Sequence, residues 1–210
     1  PNSCKFCSIF CLYRTKYYKR EIPDVIRDIK YIKELGFKKF LLIDDNIVSD
    51  PAYMQALCAE IKKFDMQWMS QCAVDIGKNP ELLKTVADSG CCVLSFGLES
   101  LQPASMAQID KAWCDPSEYR EIIKNVIDAG IEVASEMIVG IDTDTKASLL
   151  ETVDFIKETH IIAPKFYILT PILGTDLFAE MYENQRIVED NVFLYKPSKA
   201  VITHPHMATD

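Results

Sequence analysis

A chain of 210 residues, 49% hydrophobic and 26% charged, is the size of one domain with a sizeable buried core. Its formal net charge of −8 disfavours a non-specific hold on nucleic acid, which needs basic surface to displace counterions. Eight cysteines would suit a disulfide framework only in a small, core-poor extracellular domain, so they point to a reducing cytoplasm and to thiols used as metal ligands or catalytic groups.

The chain opens on Pro1-Asn2-Ser3-Cys4-Lys5-Phe6-Cys7. Two thiolates separated by two residues can grip one metal site. The basic residues that follow, Arg14, Lys16, Lys19 and Arg20, read first as a solvated loop, with an anion-facing role open for Arg14 or Arg20. An apolar stripe at Ile22, Val25, Ile26, Ile29 and Ile32 predicts a helix over 22–35. Gly36 ends it, because glycine takes the left-handed conformation that terminates helices. A strand over 39–44 follows. Asp50-Pro51 starts the next helix, and a strand over 67–74 comes after it. Asn79-Pro80 starts another helix, which Ser89-Gly90 closes before a strand over 92–98. Asp115-Pro116 opens a further one, with Glu118 placed for a capping box. Its stripe is Ile122, Ile123, Val126 and Ile127, and Ala129-Gly130 leads into a strand over 132–139. A last stripe, Leu149, Leu150, Val153 and Ile156, runs to a helix end near His160, before a strand over 165–170.

Strands alternating with helices of this length predict an α/β fold with a parallel sheet, either a barrel or an open doubly wound sheet. The strands are apolar almost throughout, as expected when both faces are covered. A helix comes first in the series, which implies a strand upstream. The most apolar stretch, 161–173, is broken by Pro164, Lys165 and Pro171 and is too short for a membrane span. The chain reads as a fragment that begins inside a loop. In parallel α/β folds the functional groups sit at the carboxyl ends of strands. The polar clusters at 44–46, 71–75, 97–100, 140–144 and 170–175 are therefore expected to converge on one face, together with the cysteine loop.

Cys4, Phe6 and Cys7 resemble the end of the CxxxCxxC loop of the radical S-adenosylmethionine (SAM) superfamily. Pro1, Asn2 and Ser3 would fill the three spacers, and the first cysteine would lie immediately before Pro1. Phe40 to Asn46, with its Asp44-Asp45-Asn46 end, resembles the second strand of members that often carry a cobalamin-binding domain. The stretch 68–75 resembles the third, 95–100 the fourth, 137–144 the fifth and 170–175 the sixth strand with its turn. The family's fifth-strand pattern GxIxGxxE keeps Ile138 and Gly140, with Glu136 and Thr143 at its ends. The resemblance implies a partial parallel (βα)6 barrel lacking its first strand, over residues 1–195, with a tail at 196–210. It implies a [4Fe–4S] cluster held by Cys4 and Cys7, and a SAM site drawn from Phe6, Asp44, Asp45, Asn46, Gln71, Glu99, Glu136, Ile138 and Leu173. Reductive cleavage of SAM to a 5′-deoxyadenosyl radical follows from it. The lean toward cobalamin-binding relatives adds methyl transfer, with cobalamin supplied by a domain outside this chain. A flavodoxin or ferredoxin would supply the electron.

Other readings stand beside this one. A methylthiotransferase acting on RNA or protein would share the core, and the acidic balance counts against RNA. Cys4, Cys7, His204 and His206 make a four-ligand zinc set on paper, giving a binding module without turnover. Cys58, Cys72, Cys91, Cys92 and Cys114 read as small apolar core residues, and Trp68 and Trp113 as core or rim packing. Asp44 and Asp45 serve equally well as turn caps. Glu99 and Glu136 lie in apolar strands and need partners if buried.

Overall fold

The computed structural model describes residues 3–14 and 16–208. Pro1 and Asn2, two of the three expected spacers, and the last two residues of the tail lie outside that range.

Five strands form one curled sheet in sequence order: β1 (Lys39–Leu42), β2 (Gln67–Cys72), β3 (Cys91–Glu99), β4 (Glu132–Val139) and β5 (Ala163–Ile168). Every neighbouring pair is parallel. A sheet wound in strict order with helical crossovers of one hand curls into a barrel rather than spreading as a doubly wound sheet. This resolves the choice left by the sequence: the fold is an α/β partial barrel. Among the described residues eight α-helices accompany it: α1 (Ser8–Tyr13), α2 (Ile22–Glu34), α3 (Pro51–Ile61), α4 (Pro80–Asp88), α5 (Pro103–Gln108), α6 (Tyr119–Asp128), α7 (Lys146–Glu158) and α8 (Asp176–Glu183).

The helix signals act as expected at two of the three Pro-containing starts. The Asp50 carboxylate accepts from the Tyr53 N–H, and the Asn79 amide oxygen from the Leu82 N–H. Asp115 caps a short 3-10 turn, Pro116–Glu118, instead. The capping box expected there does not form, because Glu118 turns outward to pair with Lys78 at 2.5 Å. The box sits at Thr145 and Ser148, at the start of α7. Gly90 must be glycine: its φ is +97°, and a Cβ there would lie 2.2 Å from the Met66 carbonyl oxygen.

One layer of the core lies between the sheet and the helices. Trp68, Leu94, Phe96, Leu98, Val126, Val133 and Met137 are essentially closed to solvent there. Cys58, Cys72, Cys91 and Cys114 are buried and Cys92 half-buried, all as free thiols. The other face of the sheet looks into the barrel. Alternation along a strand sends Gln71, Gly97, Glu136 and Ile138 inward.

β5 begins at Ala163, two residues before the expected start, and carries Pro164. The Leu169 N–H donates to the Val139 carbonyl, whereas the Ile168 N–H points the other way and reaches the Pro197 carbonyl at 2.7 Å. Pro164 is in phase with Ile168, so its missing N–H falls on the open side of the strand, where proline is tolerated. Residues 186–204 fold back over this end of the barrel. Ile187 and Ile202 form an antiparallel bridge, and Arg186 grips both oxygens of Asp142 at 2.6 and 2.5 Å. Val201 and Ile202 are buried.

Candidate active site

The cysteine loop is a turn closed by the Cys7 N–H donating to the Cys4 carbonyl at 3.0 Å, and Cys7 is the N-cap of α1. Three links fix it to the barrel. The Lys5 N–H donates to the Ile109 carbonyl, the Leu177 N–H donates to the Lys5 carbonyl, and the Lys5 ammonium pairs with Glu180 at 2.6 Å. Cys4 is buried and Cys7 half-buried. Both line a cavity of ≈ 1120 Å³ on the carboxyl-end face of the sheet.

The strand ends reach the same cavity. Phe6, Asp44, Asp45, Asn46, Gln71, Glu99, Glu136 and Ile138 all line it, with Asp75, Gly97 and Leu169. Leu173 does not; it stands on the surface with 56% of its area exposed. Asn46 also binds the fold together. Its amide oxygen accepts from the Ala73 N–H at 2.9 Å, joining the end of β1 to that of β2. Asp44 accepts from the Asn46 N–H at 2.9 Å. Burial and the neighbouring Asp44 push the Asp45 carboxyl above its ordinary range. Burial, with Asp44 second, pushes the Tyr17 phenol up to about 12. Glu136 pairs across the sheet with Lys165 at 3.3 Å.

Glu99 ends β3 with φ of 60°, a left-handed conformation that non-glycine residues adopt at some cost. The β3–β4 register shifts between Gly97 and Glu99, and the resulting bulge brings both residues to the cavity wall. The partner that a buried carboxylate requires is Lys111, in the loop after α5. Its Nζ lies 2.7 Å from Glu99 Oε1 and donates to the Gly97 carbonyl at 2.7 Å. Both side chains are 10% exposed. A Cβ on residue 97 would meet the Glu99 carboxylate at 2.5 Å, so the glycine leaves room for the pair.

Lys111 escaped the sequence reading because a lysine in a loop looks solvated. One signal was there: it is the only Lys or Arg between Lys84 and Arg120, and Glu99 needs a cation. Trp113 also lines the cavity, and the Lys111 Nζ lies 5.6 Å from its ring centroid. Burial pushes the Cys4 thiol above its ordinary range, opposed chiefly by the Lys111 charge. Among the described residues, no three His, Cys, Asp or Glu side chains converge as a metal site. The zinc quartet is therefore not assembled. His204 is committed elsewhere, 2.9 Å from the Ile141 carbonyl.

Residues 1–156 match the Radical SAM superfamily. The chain belongs to that superfamily. Among its relatives is the bacteriochlorophyllide d C-12(1)-methyltransferase of Chlorobaculum tepidum, 32% identical over 189 residues that cover 89% of this chain and 41% of that protein. The C-8(2)-methyltransferase of the same organism is 26% identical, covering 90% of this chain and 44% of that protein. The chain thus spans about two fifths of the length of these relatives. Among solved structures, the radical SAM methyltransferase TsrM from Kitasatospora setae, with cobalamin and a [4Fe–4S] cluster bound, superposes with a TM-score of 0.79 at 16% identity. The match covers 94% of this chain and 42% of that one. That likeness speaks for the fold.

Radical SAM proteins are enzymes whose cofactors are a [4Fe–4S] cluster and SAM. The residues of this chain fit both. Thiolates are the ligands iron–sulfur clusters require, and two of them stand on one turn at the rim of the cavity. Beside them, Lys111 and the strand-end carboxylates offer both signs of charge to a zwitterionic ligand. Among the described residues no helix is long and apolar enough to cross a membrane.

Proposed function

We propose that this chain is the catalytic core of an enzyme that cleaves SAM reductively and transfers a methyl group to an unactivated carbon, with cobalamin held by another part of the protein. The observation that carries this reading is the placement of the Cys4–Cys7 turn on the same cavity as the polar ends of β1 to β4. Methyl transfer draws its support from the methyltransferase relatives.

When bound, the cluster and SAM supply the hard step: one electron breaks a carbon–sulfur bond, leaving methionine and a 5′-deoxyadenosyl radical. The chain's own groups bind and orient. Cys4 and Cys7 would hold the cluster, with a third cysteine expected directly upstream of Pro1. Two of the three N–H donors on Lys111 are committed to Glu99 and Gly97, and the third serves the methionine carboxylate. Asp44 and Asp45 take the amino group, with Asn46 and Gln71 beside them. Glu99, Glu136 and Ile138 frame the nucleoside, Phe6 screens the cluster, and Leu173 closes over the ligand from its exposed turn. A flavodoxin or ferredoxin supplies the electron.

The test is the full-length protein, reconstituted without oxygen. It is expected to bind iron and acid-labile sulfide and, once reduced, to form 5′-deoxyadenosine from SAM. Cys4→Ala and Cys7→Ala are expected to lose both properties, and full retention in either variant overturns the assignment. Formation of S-adenosylhomocysteine, the species left when SAM gives up its methyl group, separates methyl transfer from cleavage alone.

A further inference from the structure

Both nitrogens of the His204 ring are committed, and to partners of opposite kind. Nε2 lies 2.9 Å from the Ile141 carbonyl oxygen. Nδ1 lies 3.0 Å from the backbone nitrogen of His206 and 3.0 Å from that of Met207. These partners decide the tautomer. A carbonyl oxygen only accepts, so Nε2 carries the hydrogen. Backbone N–H groups only donate, so Nδ1 is bare. His204 thus caps the turn that it begins, while the far side of its ring pins that turn to the connection between β4 and α7.

Four ionisable groups face this ring. Asp142 and Asp144 come from the β4–α7 connection, Arg186 from the segment after α8, and His206 from the turn itself, its ring centroid 5.9 Å away. A proton added to Nδ1 finds neither carboxylate free to receive it. Asp142 is gripped by Arg186, whose charge offsets its own. Asp144 is buried, and one of its oxygens already takes the Gly140 and Ile141 N–H groups. We propose that His204 is a proton-operated latch: neutral, it holds the 204–207 turn against the β4–α7 connection, and protonated at Nδ1 it sets a third hydrogen against two N–H donors, so the turn lets go. The proton comes from solvent, and only hydrogen bonds break. The hold at Thr203 remains, since its N–H donates to the Arg186 carbonyl at 2.8 Å and its carbonyl accepts from the Arg186 guanidinium at 2.6 Å. Release therefore stops at residue 203. It changes the direction in which the chain leaves the barrel and leaves the barrel intact.

The experiment uses the full-length protein labelled with 15N-histidine, wild type and His204→Asn, taken from about pH 7.5 down to the pH at which the His204 ring carries both protons. An asparagine offers an oxygen to the same two N–H groups and does not titrate. The imidazole resonances missing from His204→Asn identify those of His204, which are expected to show the Nε2–H tautomer at the upper pH. Amide exchange over 206–208 is read by mass spectrometry and corrected for the pH dependence of the intrinsic rate. Protection there is expected to fall about tenfold in step with the ring's titration, and to stay level in His204→Asn. Protection that stays constant while the wild-type ring takes up its proton overturns the proposal. So does an Nδ1–H tautomer at the upper pH, or the same acid-induced loss in His204→Asn. Should His204→Asn lack protection at every pH, the wild-type titration decides alone.

Discussion

Lys111 and Glu99 form the most enclosed charge pair of the site, each side chain 10% exposed. Removing one member of such a pair strands the other charge where water cannot solvate it. Lys111→Met is expected to lower stability by about 3–5 kcal/mol, and the double variant Lys111→Met/Glu99→Gln to recover much of that loss. Urea unfolding of the cluster-free protein measures both. The same pair marks where residue-level reading stops. The need for a partner to Glu99 is visible in the sequence, because a carboxylate at the end of an apolar strand demands one. Its identity depends on a bulge between Gly97 and Glu99 and on a loop returning after α5, and neither leaves a periodic trace. Leu173 differs for a related reason. Its turn after β5 was legible, but alternation fixes facing only inside a strand, and the residue lies beyond the end of β5.

At the level of elements, the glycine-ended helices and the Asn79 and Asp50 caps carried most of the fold into the sequence. Asn79→Ala removes the acceptor for the Leu82 N–H. It is expected to cost about 1 kcal/mol, read as a shift in the urea midpoint with unchanged slope. Helices α1 and α5 are only six residues each, too short to show the 3.6-residue period, and so were not legible. The expected capping box at Asp115 failed because a competing surface charge, Lys78, was available to Glu118. The start of β5 was missed because Pro164 reads as a strand breaker until the strand is known to lie at an edge.

For the molecule as a whole, residues 186–204 close the β4–β5 end through Arg186, Asp142 and His204. Nothing in the local pattern announces that clasp, since its contacts span more than forty residues of sequence. Burial alone would raise the Asp142 carboxyl, but the bonds from Arg186 outweigh it and hold the group below its ordinary value of 3.8. A depressed carboxylate contributes stability above the unfolded pKa, and that contribution is lost as pH falls through the folded value. Nearby Asp144 is shifted the other way, chiefly by burial, so the informative quantity is a difference between proteins. Arg186→Met is expected to speed amide exchange over 186–203 by roughly tenfold at neutral pH. The gap from wild type should shrink once the pH drops below about 4. Exchange followed by mass spectrometry across that range provides the check.

The bond from Ile168 to the Pro197 carbonyl has a consequence for self-association. A sheet border normally offers alternating donors and acceptors, a template on which a foreign strand can stack. Here one donor is already satisfied by an imide residue that has no hydrogen of its own to extend the ladder. The β5 margin is therefore blunted at Ile168 and Pro164, two of the positions where an added strand would look for donors.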